Sequence, residues 1–508
     1  MPFTRRFLRR WSLGGRKYRA TGRVAHSRWA VYAETADTPI PFMGAPFDVA
    51  LRATGLKGST SGDVEGWPER PQAFGHLAPG FSVEHLALQA SLNPGRSRER
   101  PGILPRMRCD ELRLTGSGGA NRVMEAELKR LVMRSPFEVR LPKPRREGEA
   151  TLLYPFDARI SWVAACHHRT SSRISWDLFS STAVRLEPLF EALLPALQSD
   201  DRLPAAKTLR FSVDLGSAHD FEASPLQLRG VVKNALIEAL ASRGVTADVD
   251  ADSPDVVFVA RRAGTPESRR TVVGIDIGLG ARHRRGARVA AGPAPLRETL
   301  AAQLIMLSRW DARSEPLVDP MAGGGTIPIE AVGLAVGAAI RRPADLPFRH
   351  LAAFGGLPTE TPDLFPGTVP RILALDIDEE RIPTMVGNLR AAGLTGPSYA
   401  DSIVIGRKDI RALTPEYIAG MLPRAADMKP GVFCFNPPYG VRIGGEEGEE
   451  KLLDLYAGMG RALSRFRGWR AACFVANARF VEAFGHFPTM TKPGTNAELP
   501  GAFLVYDL

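Results

Sequence analysis

The chain has 508 residues, 44% hydrophobic and 24% charged, with a formal net charge of +11. This length exceeds a single core and predicts two to four domains of ordinary globular composition. No apolar run approaches the roughly 18 residues a membrane span needs, so a spanning protein is excluded. A pI near 9.7 points to a polyanion partner, nucleic acid above all; free use of arginine codons would leave the same excess.

Residues 1–30 carry nine Lys or Arg and no acid. Arg5-Arg6 and Arg9-Arg10 resemble an export signal, but only Trp11-Ser12-Leu13 follows before Gly14-Gly15-Arg16-Lys17. With no apolar stretch behind the arginines, export is rejected. Cys109, Cys166, Cys434 and Cys473 stand far apart, which predicts a reduced cytoplasmic protein with no structural metal. Residues 1–105 hold only short strand-like pieces such as Trp29-Ala30-Val31-Tyr32 and read as a basic extension of unknown fold.

The spacing of Val123, Met124, Leu128, Leu131 and Val132 predicts a helix over Asn121–Met133. Ala158, Ile160 and Trp162 alternate with Arg159 and Ser161, which predicts a strand running on into Val163–Cys166. A second helix is expected over Val184–Leu197. His167-His168 have no carboxylate or cysteine at ligand spacing, so no metal site is expected there.

A strand through Leu209, Phe211 and Val213 precedes a helix through Val231, Val232, Leu236, Ile237 and Leu240, with Gly244 as its C-cap. Strands Val256–Val259 and Val272–Ile275 follow. Arg282-His283-Arg284-Arg285 and Arg288 form a basic exit that reads either as an RNA backbone contact or as a solvated loop. From 291 to 508 strands and helices alternate over a length suited to one doubly wound sheet.

That last third carries the chemistry. Asp319-Pro320-Met321-Ala322-Gly323-Gly324-Gly325-Thr326 is a strand end, a glycine-rich turn and a helix start. Glycine lets a ligand approach the backbone, and the helix start offers free N–H groups. The turn is neither GxGxxG nor a Walker loop, which disfavours a dinucleotide or triphosphate. Ile372–Leu375 ends in Asp376, an acid placed to bind ribose hydroxyls; Asp378 also suits a helix N-cap. Asp409 stands where an adenine amine could be read. Asn436-Pro437-Pro438-Tyr439 follows 27 residues later, directly behind the apolar run Val432–Phe435.

An amide side chain, a proline carbonyl of restricted direction and an aromatic face can together hold a planar amine. This is the chemistry of methylating an exocyclic amine on a nucleobase. The four residues alone also fit a proline-rich turn; their order after the glycine turn and the two acids favours chemistry.

The ordered set resembles the class I methyltransferases that use S-adenosylmethionine on amino groups. More closely, Ala294–Ala302, Asp319–Ala331, Asn436–Gly444 with Leu455-Tyr456, and Lys492–Leu499 resemble THUMP-domain RNA guanine methyltransferases, over roughly the last 400 residues. The resemblance implies an α/β fold: a Rossmann-like methyltransferase sheet over 291–508, preceded by an α+β THUMP RNA-binding domain (205–290) and a ferredoxin-like subdomain (106–204). It implies S-adenosylmethionine held by Thr299, Asp319, Met321, Gly323, Gly325, Thr326, Asp376 and Asp409. Asn436, Pro437, Pro438 and Tyr439 would be catalytic, with no metal. Ala322 and Gly324 stand where that family often has Cys and Ser, and residues 1–105 match nothing in it.

The implied reaction is methylation of guanine N2, in 23S rRNA first and tRNA second. The alternatives are a DNA adenine or cytosine amino-methylase, a protein glutamine methylase, and an RNA-binding factor with an inert methylase domain. The THUMP-like block favours RNA, and intact Asp319, Asp376 and Asn436 argue against decay.

Overall fold

The structure is a computed structural model that describes residues 108–216, 221–264, 268–286, 296–396, 399, 402–422, 429–440 and 446–508, together with the backbone of four earlier strands. The chain divides into two compact units, Met1–Arg98 and Glu99–Leu508. In the first, β1 (Arg6–Leu13), β2 (Arg16–Arg23), β3 (Arg28–Ala33) and β4 (Ile40–Met43) pair antiparallel in sequential order. The Trp29–Tyr32 piece lies within β3.

The second unit contains two sheets. The first is built from β5 (Arg108–Thr115), α1 (Asn121–Val132), β6 (Arg145–Arg146), β7 (Thr151–Pro155), α2 (Ala158–His167) and β8 (Arg173–Ser181). It continues through α3 (Leu186–Gln198), β9 (Thr208–Leu215), α4 (Pro225–Ser242), β10 (Thr246–Val249), β11 (Val256–Ala263) and β12 (Arg270–Asp276). The strand order is β10-β9-β11-β12-β8-β5-β7-β6. The segments 106–204 and 205–290, treated as separate units in the sequence, therefore share one sheet, joined where β12 pairs antiparallel with β8. Local sequence shows strands but not which edges meet.

Residues 158–166 form α2, not the expected strand. Asp157 accepts from the N–H groups of Arg159 and Ile160, an N-cap that starts a helix. Every residue from Ile160 to His167 is buried, so no polar face betrays the helical period, and Ala158/Ile160/Trp162 only mimicked alternation. By contrast, α4 opens with a Ser224–Gln227 capping box and ends before Gly244 at φ +76°, the expected C-cap.

The second sheet comprises β13 (Pro316–Asp319), β14 (Arg371–Asp376), β15 (Ile403–Arg407), β16 (Val432–Phe435), β17 (Arg470–Val475), β18 (Met490–Asn496) and β19 (Leu499–Asp507). Its helices are α5 (Glu298–Leu307), α6 (Thr326–Val336), α7 (Arg381–Ala391), α8 (Pro415–Met421), α9 (Glu446–Leu463) and α10 (Phe480–Phe484). Strand order is β15-β14-β13-β16-β17-β19-β18. The first five strands are parallel, and β19 inserts antiparallel between β17 and β18. Leu317, Val318, Ile372–Leu375 and Val432–Phe435 are fully buried, as parallel strands covered on both faces must be. The chain runs outward from β13 through β15 and returns to β16 on the other side of β13. This switch point opens a crevice at the carboxyl ends of β13 and β16, where ligands bind in such sheets.

The basic exit corrects a second expectation. Arg282 is wholly buried and donates to the carbonyls of Ala165, Gly278 and His168. Arg285 donates to Glu330 and to the Arg169 carbonyl. Arg282 is thus tied within the first sheet's module, Arg285 bridges that module to α6 of the second, and neither is presented to RNA; Arg284 is exposed, and Arg288 lies outside the described residues. Isolated buried charge is too costly to persist, so these side chains are committed to internal partners. His167 and His168 are likewise core residues. His167 bonds the Gly337 carbonyl and Thr361, while His168 bonds Ser171 and the Met124 carbonyl. Among the described residues no helix is long and apolar enough to cross a membrane, and no group of three His, Cys, Asp or Glu could hold a metal ion.

Candidate active site

The glycine turn hangs on β14. The Ala322 N–H donates to the Leu375 carbonyl at 2.8 Å, and the Gly323 N–H donates to Asp376 Oδ2 at 2.8 Å. Asn388 Nδ2 on α7 holds the Gly324 carbonyl at 2.8 Å. Gly323 at φ +53° and Gly325 at φ +82° both need the left-handed region. A Cβ on Gly325 would meet Met385 at 3.0 Å, whereas one on Gly323 would meet nothing within 4 Å. Gly323 is thus the open side of the turn, beside the Asp376 carboxylate. Thr326 begins α6 behind it, half-buried, and Met321 is half-buried at the strand end.

The acids differ in role. Asp376 also accepts from the Asp378 N–H at 2.9 Å and, as a carboxylate, retains further lone pairs. Next to it Ile377 is 52% exposed, an aliphatic side chain left uncovered at the strand end. Asp319 lies beneath the turn, 1% exposed, accepting from the Met321 N–H at 3.1 Å. Burial, with the like charge of Asp376, drives its carboxyl well above the usual carboxylate range, although the Met321 N–H opposes this. Through the Met321 N–H it shapes the turn. Asp409 caps the short turn Ile410–Ala412 and takes a two-pronged bond from Arg411 at 2.9 and 2.7 Å. Thr299 is buried at 4% exposure in the first turn of α5, and no hydrogen bond among the described residues ties it to the glycine turn.

Asn436 follows β16, one strand from the turn. Tyr439 is 8% exposed; its hydroxyl donates to Asn436 Oδ1 and its ring meets Phe474 edge-on at 6.2 Å. Burial pushes its phenol above the ordinary tyrosine value, so it holds its proton and is no base. Two carbonyls of the motif are already engaged: Tyr456 donates to that of Pro438, and Asn477 Nδ2 reaches that of Tyr439 at 3.3 Å. Among the described residues none donates to the Pro437 carbonyl. Asn436 is half-buried and Pro437 buried at the end of β16. Gly440 turns the chain away at φ +83°, where a Cβ would strike Leu452 at 2.7 Å. Val441–Gly444 lie outside the described residues.

Sequence reading assigned no role to Ile377, Tyr456, Asn477 or Asn496. An exposed Ile beside a strand-end acid and an Asn closing β17 are weak signals. Their value appears only when their strands lie next to β13 and β16.

Residues 285–503 match the model of the RMKL-like methyltransferase domain family, UPF0020. A ribosomal RNA large subunit methyltransferase K/L of Methylococcus capsulatus is 32% identical over 239 residues, 43% of this chain and 29% of that protein. The chain thus spans less than a third of that relative's length. A Synechocystis sp. protein provisionally named an RNA methyltransferase is 32% identical over 280 residues, 54% of this chain and 68% of that one. The solved structure of a possible methylase from Clostridium difficile 630 aligns over 78% of this chain and 98% of its own, with TM-score 0.59 and 22% identity. The shared architecture is the Rossmann-like class I methyltransferase sheet with the preceding α/β module. The chain belongs to the RMKL-like methyltransferase domain family.

Proposed function

We propose that this chain transfers a methyl group from S-adenosylmethionine to the exocyclic N2 amine of guanine in 23S ribosomal RNA. The observation that carries the reading is the pair of acceptors at Asn436 and Pro437, one strand away from an open glycine turn backed by an acid. The residues fit the cofactor: Gly323, Gly325 and Thr326 would hold its methionine end, Asp376 would offer its ribose an acceptor, and Ile377 would offer the adenine an apolar face. Asp409 would share its carboxylate between the adenine amine and Arg411. Asp319 and Met321 support the turn from below, and Thr299 supports α5.

Bound S-adenosylmethionine supplies an electrophilic methyl on a sulfonium. The protein must make a poor nucleophile attack it, since an aryl amine's lone pair is delocalised into the ring. Asn436 Oδ1 and the Pro437 carbonyl accept the two N–H bonds, orienting the lone pair toward the methyl and stabilising the positive charge that develops on nitrogen. The methylated nitrogen then loses a proton to water. Pro438 fixes the loop, and the remaining exposed part of Tyr439 lies along the base. Stacking there is worth roughly 1–3 kcal/mol in single-strand binders. A paired guanine must first leave its helix.

RNA as substrate is supported by the names of the relatives and by the basic charge. Within this reading 205–290 acts as a THUMP RNA-binding module, 106–204 as its ferredoxin-like companion, and 1–105 as a basic extension. A ribosomal substrate implies action in the cytoplasm. Transfer RNA guanine is the second reading, because the same acceptors would take the same amine.

The test is transfer of labelled methyl from S-adenosylmethionine to purified rRNA and tRNA, followed by nucleoside mass analysis. N2-methylguanosine in rRNA is the expected product. Label in tRNA alone selects the second reading; methyladenine or methylated DNA or protein overturns both.

A further inference from the structure

A pocket of about 350 Å³ opens where the end of α1 meets the second sheet, within the ~300–1,000 Å³ range of ligand sites. Arg130, Met133 and Arg134 line it from the end of α1, and Trp310 and Arg313 from the loop between α5 and β13. Phe365 lines it from the segment before β14. β13 starts at Pro316 and β14 at Arg371, so the pocket lies by the amino ends of the parallel strands. The glycine turn and Asn436 follow the carboxyl ends, roughly 15–20 Å away by the length of β14. The pocket is therefore separate from the candidate active site.

One wall is preformed. Arg130 donates to the Leu334 carbonyl at 2.7 Å, and its guanidinium lies 4.7 Å from the centre of the Phe365 ring. The Phe365 N–H donates to the Val336 carbonyl at 2.9 Å, tying that ring to the end of α6. Arg130 is thus committed, but Arg134 and Arg313 are not. Both are exposed, and neither guanidinium has a hydrogen-bond or ion-pair partner among the described residues. Asp311, the one carboxylate in the lining among the described residues, accepts from the Arg313 N–H at 3.1 Å and from Ser314 Oγ at 2.7 Å inside its own turn. Three guanidiniums therefore stand against one carboxylate. Trp310 is half-buried, and its indole N–H donates to the Glu315 carbonyl at 2.9 Å. Its only polar atom is satisfied, which leaves the ring as apolar lining.

An aromatic lining alone takes any hydrophobic ligand. Two uncommitted guanidiniums beside it select a ligand that is flat and anionic at once. A nucleotide is both: its base has a face for Trp310 and its phosphates answer the arginines. Duplex RNA keeps its base faces in the stack, so the matching form is unpaired. An acidic peptide would answer the arginines and leave Trp310 without a planar partner. We propose that this pocket binds an unpaired nucleotide of the RNA, with the base on Trp310 and the flanking phosphates on Arg134 and Arg313. It anchors the strand away from the nucleotide being methylated. This rests on the RNA reading of the proposed function.

The test uses the full chain and a fluorescently labelled oligouridine, with duplex RNA of equal length for comparison. The double variant Arg134→Ala, Arg313→Ala should bind oligouridine about tenfold more weakly. Its slope of log affinity against log salt should flatten by about 1.4, at roughly 0.7 per single-strand phosphate. Arg134→Lys with Arg313→Lys should recover most of that loss, because a phosphate accepts a point charge. Trp310→Leu should weaken oligouridine binding roughly fivefold or more, leaving the salt slope and duplex binding unchanged. In methyl transfer the alanine double variant should raise the KM for RNA at unchanged kcat, the mark of a contact made equally in ground and transition states. Oligouridine binding within twofold of wild type in that variant overturns the anchor, as does a Trp310 effect shared by duplex RNA. Competition by polyglutamate or by uridine monophosphate as strong as by unlabelled oligouridine also overturns it, the first marking a plain anion patch and the second a mononucleotide site. Trp310 packs on the core around α5, so a second measurement leaves the chain intact. Photo-cross-linking of a 4-thiouridine oligonucleotide to wild type should map to the peptides holding Trp310 or Arg134; links found only elsewhere count against the pocket. A wild type that methylates RNA but shows none of these effects sinks the anchor alone. One that neither binds nor methylates RNA sinks the functional reading with it.

Discussion

Arg169 and Glu330 meet at 3.0 Å where the two sheets of the larger unit join, and Gly333 makes the meeting possible. A Cβ on Gly333 would lie 2.1 Å from the Arg169 guanidinium carbon, so the arginine rests directly on the α6 backbone. Arg285 closes on the other carboxylate oxygen at 3.0 Å. α6 begins at the glycine turn, so this buried ion triplet ties that turn's helix to the preceding sheet.

Glu330→Gln should destabilise the protein by about 3–5 kcal/mol, because it leaves two buried guanidiniums without their counter-charge. Burial alone would raise the Glu330 carboxyl, yet Arg285 and then Arg169 hold it below its ordinary 4.5. A carboxylate depressed in the folded state contributes stability above its unfolded value and loses it as pH falls. The gap between wild type and variant, measured by denaturant unfolding, should therefore be full at pH 7 and shrink once pH drops below about 4.5. A gap that stays constant to pH 3 would contradict the assignment.

Asp319→Asn should behave in the opposite sense. The folded state holds this proton while the unfolded chain releases it above its ordinary 3.8. Wild-type stability is therefore eroded as pH rises, and the amide variant escapes that erosion. The substituted carboxamide retains an oxygen for the Met321 N–H. Unfolding at pH 8 should show the variant at least as stable as wild type, with any advantage fading toward pH 4.

Gly323→Ala separates folding from binding. An alanine forced to φ +53° costs about 1–2 kcal/mol of stability. Its Cβ also enters the open side of the turn, so S-adenosylmethionine affinity should fall roughly tenfold, about 1.4 kcal/mol. Calorimetric titration and thermal melts on the same samples would distinguish the two effects; unchanged affinity would move the cofactor elsewhere.

Asn436→Ala should reduce turnover by about 10²–10³, the scale of losing one preorganised polar contact, with cofactor binding little changed. Single-turnover methyl transfer alongside equilibrium binding measures both. Wild-type turnover in this variant would remove Asn436 from the chemistry.

The parts of the candidate site written into contiguous residues are legible without a fold. Asp319–Thr326 needs glycines at positive φ whatever surrounds it, and Asn436–Tyr439 places an amide, a restrained carbonyl and a ring by local geometry alone. Helices with one polar face, such as α1 and α4, were equally plain. The errors arose where burial erased the local signal. α2 is apolar on every side and passed for a strand. Arg282 and Arg285 looked like solvent-seeking charges, and only the packing of β8, β12 and α6 around them shows that they are interior. That packing also unites residues 108–276 into one eight-stranded sheet.

Sequence by itself thus determined the strand-end motifs, their order and the helical and extended periods, because these depend on bonds and contacts within a few residues. Tertiary structure alone decided that β13 and β16 lie side by side, that Asp319 is buried beneath its turn, and that Asn496 reaches the start of α5. Each of these depends on which distant segments share a neighbourhood and exclude water, and no local pattern of residues encodes that distance.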